Sequence, residues 1–110
     1  MLLKTPEPEK IVWTKHSEDK IKYYGFSKKR VLNIFRKPTR REEGIAPKTL
    51  ACMQRIGTKK NPREAWMMYV KRPKEIFIIS AWRYPGITPI GQRPIIPEDA
   101  LTELYQIIKK

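Results

Sequence analysis

Short apolar groups separated by charged residues organise the first third of the chain. Residues 11–14 combine three apolar positions with a threonine and predict a short strand. The next segment predicts a helix that begins at Thr14 or Lys15 and ends at Tyr24. Gly25 follows, and glycine suits the left-handed backbone that closes a helix.

A second helix is predicted over residues 28–37, where apolar positions recur at helical spacing. Ser27 is its predicted N-cap, because a serine hydroxyl accepts a hydrogen bond from a free amide of the first turn. Pro38 ends it, since the residue before a proline avoids helical backbone. One side of this helix is basic. The apolar side contains Val31, Leu32, Ile34 and Phe35.

The middle of the chain changes from helical spacing to strands. Residues 39–47 predict a strand or a bulged arm, and residues 48–56 predict a strand that alternates weakly between two faces. The segments 65–72 and 75–84 are apolar on both faces at least in part, as in central strands. Polar turns, one of them residues 57–64, join these segments, so we predict an antiparallel meander.

A proline-rich connector and a final helix complete the pattern. Pro97 suits the first helical position, and Glu98 and Asp99 near the start complement the helix dipole. Two lysines at the other end complement it as well. The predicted apolar stripe of this helix consists of Leu101, Leu104, Ile107 and Ile108.

Together these elements predict an α+β fold in which two N-terminal helices pack on an antiparallel β-sheet, a meander, with an additional C-terminal helix. Three regions follow from the pattern. Residues 1–10, with two prolines among charges, are expected to be a flexible lead-in, residues 11–86 form the α+β domain, and residues 87–110 form the connector and last helix.

The charge balance of the chain indicates the kind of partner that it binds. The chain has 24 Lys and Arg against 11 Asp and Glu, which gives a net charge of +13. A compact domain with this charge attracts polyanions and releases their counterions on binding, which favours nucleic acid, either RNA or DNA, as a partner. The alternative is that the charge serves solubility, although a magnitude of about 2–8 suffices for a small domain.

Several classes of protein are disfavoured by composition. Cys52 is the single cysteine and His16 the single histidine, so we expect no disulfide, no thiolate metal cluster and no cofactor, with Cys52 a buried apolar residue. The first ten residues have no apolar core of a signal peptide, and the apolar run 76–79 is far too short to span a membrane. We therefore expect a cytoplasmic protein that does not insert into membranes.

Residues 13–38 contain a motif in which particular residue types follow one another in a defined sequence. A histidine is followed one helical turn later by a basic residue, then by a Gly-apolar-Ser corner, a valine-centred helix and a closing proline. The series resembles the opening of a family of small bacterial domains of uncharacterised function related to the RelE/ParE and BrnT toxins. The family more often has arginine at the positions of Lys20 and Tyr24. The matching residues are His16, Lys20, Gly25, Phe26, Ser27, Val31 and Pro38.

The resemblance implies a RelE-like fold and a toxin-like function. Many of the related toxins are metal-independent endoribonucleases that cleave RNA, often ribosome-associated mRNA, and are neutralised by an antitoxin protein. Other members have no known activity, so the alternative is a non-catalytic nucleic-acid-binding module on the same fold. The sequence leaves the oligomeric state open, and the sheet edge and the C-terminal helix are candidate surfaces for a homodimer.

Four residues are candidates for catalysis. RNA cleavage without a metal needs an acid and a base, and histidine is the side chain best suited to both near neutral pH, so His16 is the first candidate. Lys20 lies one helical turn away and would face the same phosphate. Arg83 and Tyr84 end the last predicted strand beside a Pro-Gly turn and would bind phosphate and a base. The alternatives are that His16 merely packs beside the first strand, and that Arg83 faces solvent beside a core Trp82.

Further basic residues are candidate contacts to the nucleic-acid backbone. They lie on the polar side of the second helix, after Pro38, and in the turn 57–64. For Arg40 and Arg41 the preferred interpretation is a surface ion pair with Glu42 and Glu43. The candidates are Lys28, Lys29, Arg36, Arg40, Arg41, Lys59, Lys60 and Arg63.

Overall fold

The computed structural model describes residues 5–43, 45–92 and 94–109. Within them five strands form one sheet: β1 (Lys10–Trp13), β2 (Arg40–Glu42), β3 (Thr49–Gly57), β4 (Pro62–Lys71) and β5 (Glu75–Tyr84). The helices of the same residues are α1 (Lys15–Tyr24), α2 (Lys28–Arg36) and α3 (Glu98–Ile108). The predicted α+β class with a C-terminal helix is confirmed.

The strands are arranged in the order β1-β5-β4-β3-β2. Strands β2 to β5 form the predicted antiparallel meander, whereas β1 pairs in parallel with β5. Between β4 and β5 the register shifts, because Met68 pairs with Ser80 and Tyr69 with Ile78, which leaves Ile79 as a bulge. Neither the parallel pairing nor the bulge follows from the local sequence pattern.

The start of α1 is fastened to β5 beside this bulge. The Thr14 hydroxyl donates to the Ile78 carbonyl at 2.9 Å and accepts from the Ser17 amide at 3.1 Å, so Thr14 is the N-cap and the helix begins at Lys15. Gly25 closes the helix with a φ of 72°, as predicted. This anchoring places the first turn of α1 next to the second half of β5.

Two apolar clusters lie on opposite faces of the sheet. The α2 face carries α1 and α2, and its buried side chains include Ile21, Val31, Ile34, Phe35, Cys52, Met67 and Ile78. The α3 face carries α3, and its buried side chains include Met53, Trp66, Met68, Ile79, Trp82, Ala100 and Leu104. Cys52 and Trp82 are therefore core residues, as predicted, and burial raises the pKa of the Cys52 thiol to about 12.

The segment before β1 contacts the rest of the domain from Thr5 onward. The Thr5 amide donates to the Arg36 carbonyl at 3.1 Å, and the Glu9 amide donates to the Lys74 carbonyl at 2.9 Å. Residues 1–4 of the predicted lead-in lie outside the described residues.

Three details differ from the sequence prediction. Strand β4 begins at Pro62, so Glu64 is a fully buried strand residue rather than part of a turn. Among the described residues of the predicted segment 39–47, only Arg40–Glu42 is a strand. In α3 the sequence pattern missed the buried Ala100, whereas Ile108 is 37% exposed. None of the helices in the described parts of the chain is long and apolar enough to cross a membrane.

Candidate nucleic-acid interface

The start of α1 brings His16 and Lys20 together with the start of α3. His16 Nε2 lies 3.2 Å from Ser80 Oγ and 3.8 Å from Asp99 Oδ2. Lys20 Nζ lies 2.6 Å from the same Asp99 oxygen. This hydrogen bond raises the pKa of Lys20. Burial alone would raise the pKa of Asp99, but the Lys20 bond and charge outweigh it, and that pKa is lowered.

The geometry of this cluster does not match a nucleophilic relay. Ser80 is 2% exposed, so its hydroxyl is closed to a substrate. Ser80 and Asp99 both approach Nε2 of His16, whereas a relay uses one ring nitrogen for the hydroxyl and the other for the carboxylate. No local sequence pattern pairs Ser80 or Asp99 with His16, because these residues belong to β5 and α3 and only the tertiary fold brings them to α1.

Arg83 is held at the other end of α1 on the α2 face. Its Nε donates to the Tyr24 carbonyl at 3.0 Å, and its guanidinium carbon lies 4.6 Å from the centroid of the Phe26 ring. These two contacts fix the plane of the guanidinium group. Within the described part of the chain its terminal amino groups make no hydrogen bond, so they can donate to an anion.

The structure does not bring the four predicted catalytic residues together. His16 belongs to the first turn of α1, whereas Arg83 contacts Tyr24, its last residue. These two residues of the helix lie about 12 Å apart along its axis. Tyr84 follows Arg83 in β5 and lies on the opposite face, where it packs against the α3 cluster. His16 and Lys20 thus form one group, and Arg83 and Tyr84 lie in two other places.

Four of the eight residues predicted to contact the nucleic-acid backbone are engaged within the protein, and three of them make exposed or half-exposed contacts. Lys28 lies 3.0 Å from Glu18 and 4.9 Å from the centroid of the Trp13 ring. Arg36 pairs with Glu7, and Arg41 donates to the Thr5 hydroxyl at 3.1 Å. These contacts connect α2, β2 and the N-terminal segment to their neighbours, so these cations are less free to bind a polyanion.

Arg40 belongs to a largely buried polar network. Its Nε donates to Glu42 at 3.0 Å, and its Nη1 donates to the Thr88 hydroxyl at 2.6 Å. Thr88 donates in turn to Glu64 through its hydroxyl at 2.8 Å and its amide at 3.1 Å. The Trp66 indole donates to Glu64 at 2.9 Å. The predicted ion pair between Arg40 and Glu42 is present. The prediction that it lies at the surface was wrong, because the Arg40 side chain is only 12% exposed.

The remaining predicted contacts are Lys29, Lys59, Lys60 and Arg63. All four are exposed, and in the part of the chain that the structure describes no carboxylate lies within 4.0 Å of their charged groups. Lys29 lies on α2. The other three belong to the β3–β4 hairpin. Among the predicted contacts to nucleic acid, they form a group of cations without carboxylate partners in the described residues.

The tip of this hairpin is closed by two local hydrogen bonds. The Thr58 amide donates to the Asn61 carbonyl at 3.2 Å, and the Asn61 amide donates to the Thr58 hydroxyl at 3.0 Å. Gly57 has a φ of 84°, and a Cβ there would lie 2.4 Å from the Asn61 carbonyl oxygen. The turn therefore holds Lys59 and Lys60 on a tightly constrained backbone.

Strand register places Arg63 and Arg83 on the same face. Ala65 pairs with Arg83 on one side and with Gln54 on the other, and Arg63 pairs with Ile56. Directly paired residues share a face, and Ile56 packs on the α2 cluster. The two arginines therefore lie at the hairpin end of the α2 face. We call Lys59, Lys60, Arg63 and Arg83 the basic surface.

Two clefts lie at opposite ends of the sheet. One of about 370 Å³ opens at the root of the β3–β4 hairpin. The other, of about 480 Å³, lies under the N-terminal segment, and burial raises the pKa of Tyr69 in its wall. Among the described residues no group of three or more His, Cys, Asp or Glu side chains is placed to hold a metal ion.

Comparison of the chain with protein-family models, with curated proteins and with solved structures found no match. The resemblance of residues 13–38 to the toxin-related family therefore stays a prediction.

Proposed function

We propose that the protein binds nucleic acid, with RNA as the expected form, through the basic surface at the hairpin end of the sheet. The observation that carries this proposal is the concentration of cations there without carboxylate partners. Lys59, Lys60 and Arg63 are exposed and unpaired within the described residues, whereas Lys28, Arg36 and Arg40 are neutralised internally. Such a group gains most when a polyanion replaces its counterions.

The two kinds of cation in this surface suit two kinds of contact. Arg83 has a fixed guanidinium plane whose terminal amino groups make no hydrogen bond within the described residues, which favours a bidentate contact to one phosphate. The hairpin lysines are flexible point charges on a constrained turn, which suits backbone contacts without sequence preference. The net charge of +13 adds long-range attraction to both.

The position of the interface is tested by two triple variants with the same loss of charge. The first variant is K59Q/K60Q/R63Q in the hairpin. The second, K48Q/K71Q/K74Q, removes three exposed cations at the other end of the sheet. Affinity for a labelled RNA is measured by fluorescence anisotropy at one fixed salt concentration.

We expect the hairpin variant to bind the RNA at least tenfold more weakly than the wild type, and the control variant about two- to threefold more weakly. The control measures the general effect of three lost charges on the protein's field. Equal losses in the two variants would show that binding follows net charge alone and would refute the assignment to this surface.

RNA cleavage is a second candidate function, favoured by the His16 cluster and by the resemblance to the toxin-related family. The imidazole of His16 and the ammonium group of Lys20 both lie within 4 Å of the Asp99 carboxylate, where α1 meets the start of α3. Acid–base cleavage of RNA needs a proton-transfer group beside a cation, and His16 and Lys20 supply these types. In this function the basic surface would bind the RNA outside the reacting phosphate.

Cleavage is tested by incubating the purified protein with total RNA, with and without ribosomes. His16→Ala is compared with the wild type and with Lys15→Ala, which changes the exposed preceding residue of the same helix turn. Fragments that form with the wild type and Lys15→Ala but not with His16→Ala would support cleavage. Intact RNA in every reaction, together with binding, would leave the non-catalytic module as the function.

A further inference from the structure

We propose that the cleft at the root of the β3–β4 hairpin receives one unstacked nucleotide, so that the protein selects single-stranded over double-stranded nucleic acid. This inference rests on the proposed function, because the cleft shares Lys59 and Arg63 with the basic surface. It adds the class of nucleic acid and a position at which a base is held.

The cleft combines an apolar wall with a cationic rim. Pro62 and Ile87 supply the apolar wall, and Arg55, Lys59 and Arg63 supply the charges. Its volume of about 370 Å³ falls within the range of about 300–1,000 Å³ that is typical of small-molecule sites. Apolar side chains contact the face of an extruded base, while cations contact its phosphate, so both parts of a nucleotide find a partner here.

The two walls of the cleft are held in place. On the hairpin side, Gly57 and the Thr58–Asn61 hydrogen bonds fix the turn. On the connector side, Ile87 precedes Thr88, whose amide and hydroxyl both donate to the buried Glu64. The Ile87 side chain is 53% exposed, so it stays accessible to a ligand while the neighbouring Thr88 fixes the backbone beside it. A preformed apolar wall of this kind costs little ordering when a base binds.

Duplex nucleic acid does not use such a cleft. Its bases are stacked and paired inside the helix, so it offers only phosphates and groove edges to the rim. A single strand offers the same phosphates together with bases that leave the stack at small cost. The apolar wall therefore adds affinity for single strands alone.

The test compares three labelled probes at one salt concentration: a single-stranded RNA of about 12 nucleotides, the duplex of this RNA with its complement, and the corresponding single-stranded DNA. Each is titrated with the wild type, with Ile87→Ala and with Ile90→Ala. Ile90 is a matched control because it is 82% exposed, lies in the same connector and does not line the cleft.

We expect the wild type to bind both single strands at least tenfold more tightly than the duplex. Ile87→Ala should weaken single-strand binding about fivefold and leave duplex binding unchanged, and Ile90→Ala should match the wild type. Equal affinity for duplex and single strand, or an Ile87→Ala variant that binds like the wild type, would overturn the cleft assignment while the proposed function stands. Absence of binding to all three probes would overturn both.

Discussion

At the scale of single residues, Glu64 decides how the connector after β5 is attached to the sheet. Its fully buried carboxylate accepts from the Trp66 indole and from the amide and hydroxyl of Thr88. Arg40 completes the network by donating to the same Thr88 hydroxyl. A buried polar network stabilises a fold only while its members are satisfied, so loss of the central acceptor affects every donor around it.

We expect Glu64→Ala to lower the free energy of unfolding by about 2–4 kcal/mol, because it leaves buried donors of Trp66 and Thr88 without an acceptor and opens a cavity. Urea unfolding followed by tryptophan fluorescence measures the change. Asp19→Ala, at an exposed site, serves as a control and should change stability by less than about 0.5 kcal/mol. Similar values for the two variants would contradict the role of the network.

The Asp99 contact to Lys20 predicts a stability difference that depends on pH. The Asp99 pKa lies below its ordinary value of 3.8, and the Lys20 pKa lies above its ordinary value of 10.5. The pair therefore stabilises the fold fully at pH values above the ordinary Asp99 pKa and below the ordinary Lys20 pKa. The stabilisation disappears as pH falls through the Asp99 pKa of the folded state, or rises through that of Lys20. Both side chains are partly exposed, so solvent screening keeps the contribution to about 0.5–1 kcal/mol.

We therefore expect Asp99→Asn to be less stable than the wild type by about 0.5–1 kcal/mol at neutral pH, and equally stable once pH is low enough to protonate Asp99 in the folded wild type. Urea unfolding of both proteins across the acidic range measures the difference. A difference that persists unchanged in acid would show that Asp99 acts through packing of α3 and not through its charge.

At the scale of elements, the β3–β4 hairpin depends on one backbone position. Gly57 and Gly25 have similar positive φ values, but only a Cβ at Gly57 would meet a backbone atom, the Asn61 oxygen at 2.4 Å. We expect Gly25→Ala to cost about 1 kcal/mol for its left-handed backbone, and Gly57→Ala to cost about 2 kcal/mol or more. Parallel urea unfolding of the two variants measures the costs. Equal costs would contradict the steric constraint on the turn.

The same scale shows which elements the sequence predicts and which it does not. Helix α1 was predicted to within a residue, because Thr14 and Gly25 are local capping signals. The parallel pairing of β1 and the burial of Glu64 depend on partners distant in the chain, so no local pattern contains them. The candidate site residues also differ in how far the local sequence predicts their positions. Consecutive residues of a strand point to opposite faces, so the predicted strand is enough to separate Arg83 from Tyr84, whereas the Lys20–Asp99 contact depends on the tertiary fold.

At the scale of the whole molecule, some cations are paired with carboxylates and others are not. The net charge of +13 is spread over the chain, and several cations serve internal pairs with Glu7, Glu18, Glu42 and Asp99. The hairpin end of the sheet presents Lys59, Lys60 and Arg63 without such partners in the described residues. We therefore predict that nucleic acid binds at the tip of the β3–β4 hairpin, and that it is not attracted uniformly to the whole surface.

The salt dependence of RNA binding tests this claim most directly. For the wild type we expect the logarithm of the association constant to fall with the logarithm of salt concentration with a slope of about −2 to −3, as for three or four phosphate contacts to a single strand. In K59Q/K60Q/R63Q the slope should become shallower by about 2. A wild-type slope near zero, or a wild-type slope retained in the triple variant, would contradict the account.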